Sequence, residues 1–247
     1  MTLNIFLSIV IPAYNEETRV ARSLEKIYLY LEQQTYTYEL IIVDDGSTDQ
    51  TAQVVHDILK RSEHGKLLQN GVNRGKGYSV RQGVLHSRGE YVLISDADLS
   101  TPIREIEQLF RYLEQGYDIA IGSRGLKESD IQVHQSWYRE RMGKIFNLLI
   151  RLILLPDFYD TQCGFKCFRG DIARKLFSQQ TIDHFSFDVE VLFLATYYNY
   201  KIKEVPIQWF HEPSVWLNTT AEAIKGSSKM LWDLLRIRYN VWLGKYE

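Results

Sequence analysis

The stretch "YVLISDADLS", residues 91–100, decides how this chain folds. Its first five residues, Tyr91 to Ser95, read as a buried strand. The strand then ends in two carboxylates, Asp96 and Asp98, one residue apart. Asp is common in turns, so a polar turn closing a strand accounts for part of this. Two acids at the mouth of an apolar strand also repel each other unless positive charge lies between them.

Outward from this stretch, strand and helix patterns alternate. "FLSIVIPAYN" reads as a strand entering a loop. "EETRVARSLEKIYLYLEQQ" follows as a helix, with Val20, Leu24, Ile27 and Leu31 at helical spacing and Asn15 as its expected N-cap. "YELIIVDDGSTD" is a strand and turn, "QTAQVVHDILKRS" a helix, "GKLLQN" a short strand and "GKGYSVRQGVLHSR" a helix. After residue 100 come a helix with Pro102 in its first turn and the strand "YDIAIGSR". This alternation implies an α/β fold with a mostly parallel sheet flanked by helices, in which ligands bind beyond the carboxyl ends of the strands. The polar residues at those ends are Tyr14, Asn15 and Glu16; Asp44, Asp45 and Gly46; Asp96 and Asp98; and Ser123 and Arg124. A structural sheet has no reason to collect acids at the end of strand after strand, so this edge is the expected site.

Composition narrows the classes. At 247 residues, 45% hydrophobic and 24% charged, the chain can build a full core. A net charge of −2 gives no nucleic-acid signal. Cys163 and Cys167 imply neither a disulfide framework nor a metal site. The apolar run "IFLSIVI" has no basic region before it and reads as a strand rather than a signal peptide. "IFNLLIRLILLP" is too short to span a bilayer. A reducing cytosol, with at most peripheral membrane contact, is the expected location.

The motifs carry chemistry of their own. The hard oxygens of Asp96 and Asp98 suit Mg²⁺ or Mn²⁺, which bind through one or two carboxylates and fill the remaining positions with water and substrate phosphate. In "VDDGSTD", an acid could accept hydrogen bonds from a ribose or base, or could simply form a turn that caps the next helix. In "NRGKGYS", two glycines flank Lys76 before a helix, and both the lysine and the helix N-terminus favour anions. Neither a Walker loop nor a G-x-G-x-x-G run is present.

Together "SIVIPAYNEE", "IIVDDGSTDQT", "NRGKGYSVRQGVLHSRGEYVLISDADLS" and "IAIGSR" resemble the nucleotide-sugar domain of family 2 glycosyltransferases, which have the GT-A fold. "DTQCGFKCF", "FDVEVLFLA" and "EVPIQW" are similar to the dolichyl-phosphate β-glucosyltransferase branch, a relative of the polyprenyl-phosphate mannosyltransferases. The resemblance implies a catalytic domain over 1–210, with a nucleotide-sugar half over about 1–125 and an acceptor half over about 126–210. A helical tail, 211–247, would follow. Pro12, Ala13, Tyr14 and Glu16 would line the nucleotide pocket. Asp45 would meet uracil or ribose with Asp44 and Gly46 beside it, and Lys76 would sit near the nucleotide. Asp96 would lie near ribose and metal, and Asp98 would hold the metal that bridges the donor diphosphate. Arg124, with Arg139 or Arg141, would hold the acceptor phosphate. Asp160 matches the acid proposed as base in the family. Asp188 and Glu190 of "FDVE" could approach the sugar, though Asp188 could equally cap a helix.

The implied reaction is inverting and metal-dependent, moving glucose from UDP-glucose to a polyprenyl phosphate. The enzyme would be peripheral at the cytoplasmic face of a membrane. Basic residues beside "IFNLLIRLILL", and the mix of Trp232, Tyr239 and Trp242 with five basic residues from Lys225 onward, suit interfacial helices or ordinary docking of a terminal helix. Ser100 stands where mannosyl-transferring relatives often have Gln, which fits the glucosyl branch. Other donors (GDP-mannose, UDP-N-acetylglucosamine), a soluble or polysaccharide acceptor, and a silent nucleotide-sugar-binding protein remain open alternatives.

Overall fold

The structure, a computed structural model, describes residues 4–60, 62–131, 146–210 and 220–246. The first strand, β1 (Leu7–Ala13), is flanked by β2 (Tyr38–Asp44) and β4 (Tyr91–Ile94), with β3 (Gly65–Gln69) beyond β2. On the other side stand β7 (Lys166–Arg169), β5 (Ile119–Ser123) and β8 (Ile202–Pro206), so the seven strands run β3-β2-β1-β4-β7-β5-β8. Six are parallel; β7 is antiparallel to both β4 and β5. A two-stranded ribbon pairs β6 (Asp130–Ile131) with β9 (Gln208–Trp209).

These strands form because Val, Ile and Leu runs are buried on both faces, which is the requirement of a parallel sheet. Successive side chains point to opposite faces. Val10, Ile41, Val43 and Ile94 pack on one side; Ile9, Ile11, Leu40, Ile42 and Leu93 pack on the other. The second side is covered by α1 (Val20–Leu31), α2 (Thr51–Leu59) and α4 (Ile106–Glu114). The first is covered by α3 (Lys76–Leu85), α5 (described over 146–153), α6 (Gly170–Ser178), α7 (Phe187–Tyr197) and α8 (Thr220–Trp242). Leu234, Ile237 and Tyr246, all buried, bring α8 and the turn after it into this same core.

Two local expectations change. Asn15 does not cap α1. Arg19 occupies the N-cap position, while Asn15 sits at φ +53° and its side-chain oxygen accepts from the Thr48 amide (2.9 Å). Asn tolerates this left-handed geometry, so the residue serves a loop-to-loop tie instead of a cap. Pro102 precedes a 3-10 turn, Ile103–Glu105, that leads into α4.

Strand direction places the site. The carboxyl ends of β1, β2, β4 and β5 open on one edge, where Ala13 pairs with Asp44 and Val10 with Ile94. Because β7 runs the other way, its first residue, Lys166, lies beside both Ile94 and Ile121. The loop before it, residues 160–165, therefore reaches the same edge.

Candidate active site

The exits of β1 and β2 are tied together. The Asp45 amide donates to the Ala13 carbonyl (2.8 Å), Asn15 N–H to Ser47 Oγ (3.0 Å) and Glu16 N–H to Thr51 Oγ1 (2.7 Å). Pro12 and Tyr14 are partly exposed along this seam. Asp44 is buried and accepts from the Ser47 amide (3.2 Å) in a local turn. Gly46 has φ +73°, and a Cβ there would lie 2.5 Å from the Val72 carbonyl carbon, so only glycine fits. Asp45 is buried too: Oδ1 accepts from Asn70 Nδ2 (2.8 Å) and the Arg74 amide (2.9 Å), and Oδ2 from the Gly75 amide (2.9 Å). It holds the loop that leads into α3.

At the end of β4, Asp96 forms an ion pair with Lys76 Nζ at 2.5 Å. Burial pushes the Asp96 carboxyl up, but Lys76 outweighs it and the group is held below the usual carboxylate range. Among the described residues Asp98 has no such partner. It accepts from the Ser100 amide (3.0 Å), and no described Lys or Arg forms an ion pair with it. Burial, and then the charge of Asp96, raise its carboxyl above the usual range. Glu16 faces both acids: burial raises its carboxyl, Arg19 (2.7 Å) opposes this, and Asp98 and Asp96 push it up again. The Phe210 amide donates to the Ser100 carbonyl (2.8 Å), so the chain just after β9 borders the Asp96–Asp98 turn.

Arg124, just beyond β5, is gripped by Asp160. Its Nε donates to Oδ2 (2.6 Å), its Nη2 to Oδ1 (3.0 Å) and its amide to Oδ2 (3.0 Å). Asp160 is 2% exposed. Burial raises its carboxyl, yet Arg124 outweighs this and holds it down at about 2. Glu204 of β8 fixes the loop by accepting from the Asp160 amide (2.7 Å), and the guanidinium lies 5.4 Å from the centre of the Trp209 ring. A depressed carboxyl contributes stability that is full above about pH 4 and lost as pH falls through about 2, amounting to about 2 kcal/mol. Asp160→Asn removes this part of the acid sensitivity, which urea midpoints across that window check.

A further ion pair lies underneath: Lys166 Nζ to Asp188 at 2.6 Å, both buried. Lys166 also donates to the Cys163 carbonyl. Burial raises the Asp188 carboxyl against the pull of Lys166 and then Lys76. The charges thus alternate beneath the edge as Asp96–Lys76 and Asp188–Lys166, with Arg124–Asp160 alongside and Asp98 left over.

The structure brings Glu16, Lys76, Asp96, Asp98, Arg124 and Asp160 to one edge. Arg139 and Arg141 lie outside the described residues. Asp45 and Lys76 have internal partners that spacing alone does not reveal. Three contributors were not singled out from sequence. Lys166 and Glu204 look like ordinary surface charges of strands. The third is Gly164, where a Cβ would overlap the Asp96 carboxylate; its only sequence signal is its place in "DTQCGF". Gly164→Ala is therefore expected to displace Asp96 and lower activity at least about tenfold with little loss of melting temperature, since a 1 Å misplacement near reacting groups costs on the order of 10²-fold. Parallel melts and initial rates check it.

Among the described residues no group of three or more His, Cys, Asp or Glu side chains could hold a metal on its own. A Mg²⁺ or Mn²⁺ that takes one or two carboxylates needs no such cage. The donor set present, the hard oxygens of Asp98 with those of Asp96 beside it, fits that mode.

Residues 8–177 match the family model "Glycosyl transferase family 2". The chain belongs to this family. Among curated relatives of the glycosyltransferase is the dolichyl-phosphate beta-glucosyltransferase of Dictyostelium discoideum, 35% identical over 99% of this chain and 77% of that protein. The human protein of the same name is 35% identical over 82% of this chain and 67% of its own length. Solved structures show the GT-A fold. Glucosyl-3-phosphoglycerate synthase from Mycobacterium tuberculosis, in complex with Mn²⁺ and uridine-diphosphate-glucose, aligns with a TM-score of 0.68 at 15% identity, over 94% of this chain and 79% of that one. Mannosyl-3-phosphoglycerate synthase from Rubrobacter xylanophilus aligns with a TM-score of 0.70 at 17% identity, over 98% and 75%.

Proposed function

We propose that this enzyme transfers glucose from UDP-glucose to a polyprenyl phosphate of the dolichyl type, with inversion, giving a β-linked lipid phosphate sugar. The observation that carries this reading is a pair of features on one sheet edge: the uncompensated acid Asp98, and the Arg124 guanidinium gripped by buried Asp160. The names of the relatives supply the sugar and the lipid.

The seam between the β1 and β2 exits, lined by Pro12, Ala13, Tyr14, Glu16, Asp44 and Gly46, receives the nucleoside. Asp98, with Asp96 beside it, would hold a divalent cation that offsets the charge of the departing diphosphate. Asp160 occupies two of the five side-chain N–H groups of Arg124, leaving three for the acceptor phosphate. A phosphate monoester is already largely dianionic near neutral pH, its second pKa being about 6. Its oxygen therefore attacks the anomeric carbon from the face opposite the diphosphate without a strong base. Asp160, held at about 2 with both oxygens engaged, positions Arg124 rather than accepting a proton.

No helix among the described residues is long and apolar enough to cross a membrane. The outer faces of α5 and α8 nonetheless expose Leu152 (74%), Trp232 (69%), Tyr239 (56%) and Trp242 (78%). Arg236, Arg238 and Lys245 are exposed among them. Arg238 Nη2 donates to the Ile153 carbonyl (2.7 Å), joining the two helices. Apolar rings among cations suit a lipid surface, where the acceptor resides.

The test is transfer of radiolabelled sugar into an organic-soluble product. UDP-glucose, GDP-mannose and UDP-N-acetylglucosamine are each offered with a polyprenyl phosphate in detergent, and UDP-glucose also with 3-phosphoglycerate. Label in the lipid from UDP-glucose alone is expected. Transfer from another donor discards the sugar, and product only with the soluble acceptor discards the lipid.

A further inference from the structure

Glu190 is wholly buried in α7 and takes no part in the chemistry above. Its carboxylate accepts from four donors. These are the Thr181 amide (3.0 Å), Thr181 Oγ1 (2.6 Å), the Ile182 amide (2.9 Å) and the Tyr246 hydroxyl (2.6 Å). Tyr246, 1% exposed, lies in the turn after α8. Asn240 of α8 donates to both Thr181 Oγ1 (3.2 Å) and Tyr246 Oη (3.2 Å), and Tyr198 donates to the Tyr246 carbonyl. Thus one carboxylate fastens the turn after α8 to the segment 181–182.

The other side of that segment clasps the start of α3. The Tyr78 amide donates to the Asp183 carbonyl (3.0 Å), and Gln180 Nε2 to the Gly77 carbonyl (2.9 Å). Arg81 donates to the Gln180 carbonyl (2.9 Å) and pairs with Asp183 (3.2 Å). The glycines flanking Lys76 allow this contact. A Cβ on Gly77 would lie 2.7 Å from the Ile182 carbonyl oxygen, and one on Gly75 would overlap the Asp183 carbonyl. They serve a tight joint between backbones, and the N-terminal donor at Tyr78 is consumed by it rather than kept for an anion. Lys76 lies between them and reaches Asp96.

We propose that Glu190 and Tyr246 are positioning residues for the donor site: through segment 180–184 they set the start of α3, and with it Lys76 against Asp96. The face of α8 that would meet lipid is thereby linked mechanically to the nucleotide end of the site. The proposal rests on the proposed transfer reaction's placement of Asp96 at the donor diphosphate, with Lys76 paired to it, and on the family resemblance that sets Lys76 near the nucleotide. A charge-assisted, multiply bonded anchor of this kind is far more than burial of α8 requires, since Leu234 and Ile237 already dock the helix.

The test uses the full chain as Tyr246→Phe and Glu190→Gln, with thermal melts to confirm folding. The first removes a single hydroxyl and keeps the assay usable if the second fails to fold. Amide hydrogen exchange over 76–80 should rise in Tyr246→Phe while β3 and α1 stay unchanged. The KM for UDP-glucose should rise about fivefold, the effect of one lost buried hydrogen bond, with kcat little altered. In a Lys76→Met background the same substitution should add nothing to KM. Unchanged exchange over 76–80 overturns the proposal, as does raised exchange with unchanged donor KM where Lys76→Met alone does raise it. If Lys76→Met itself leaves donor KM at the wild-type value, the placement of Lys76 at the donor has failed, and the proposal falls with it.

Discussion

Asp98→Asn is expected to abolish transfer while leaving the metal-free protein as stable as the wild type, or more so. Most substitutions at a partly buried, hydrogen-bonded group destabilise. Here the carboxylate is destabilising in the absence of a cation, because burial and the neighbouring charge of Asp96 oppose its ionisation. Asn removes that repulsion and can still accept the Ser100 amide. The same change removes an acid from the position expected to face the diphosphate, so turnover should fall by about 10²–10³-fold or more, the scale of losing one electrostatic group aimed at developing charge. Melts with and without Mn²⁺ and UDP separate the two effects. The wild type should gain stability from the ligands, about 2.7 kcal/mol at a hundred times Kd, whereas the variant should not. A variant that melts lower without metal and still responds to Mn²⁺ would place the cation elsewhere.

Arg124→Met is expected to have the largest effect on folding, and a second substitution should repair the fold without repairing the enzyme. Removing the guanidinium strands the Asp160 carboxylate, 2% exposed, without its counter-charge. Breaking a buried pair from one side costs about 3–5 kcal/mol, a large share of a total of about 5–15 kcal/mol. In Arg124→Met/Asp160→Asn the stranded charge is gone, and stability should return to within about 1–2 kcal/mol of the wild type. Activity should stay low in the double variant, because the Arg124 guanidinium that would hold the acceptor phosphate is gone. Urea midpoints for the two single variants and the double one complete the cycle. Recovery of activity together with stability would show that the pair is structural only.

Much of this was legible in the chain. Runs such as "IVIPA" and "YVLIS" with helical periods between them read as an α/β sheet, and the acids named at strand ends do lie together on one edge. The mostly parallel sheet was legible, but the reversal of β7 was not. Nothing in "KCFR" distinguishes the antiparallel β7 from its parallel neighbours, yet that reversal brings Lys166 and the loop at 160–165 to the site. The partners of charged groups were hidden for a similar reason. Asp45 meets Asn70 and Gly75, Lys76 meets Asp96, and Lys166 meets Asp188 across 20 or more residues of chain. Spacing reports neighbours along an element, whereas these pairs depend on how the elements pack. The glycines around Lys76 show the same limit. They carry the pattern of an anion-binding turn, but their lack of a side chain is used by the segment 182–184.

The most direct measurement of the central claim is the initial rate of glucose transfer from UDP-glucose into polyprenyl-phosphate product, first with excess EDTA and then with Mn²⁺ restored. Loss of product in EDTA, recovery with Mn²⁺ in the wild type and no recovery in Asp98→Asn is the predicted result. Undiminished glucosyl lipid formation in EDTA, or equal recovery in Asp98→Asn, would contradict it.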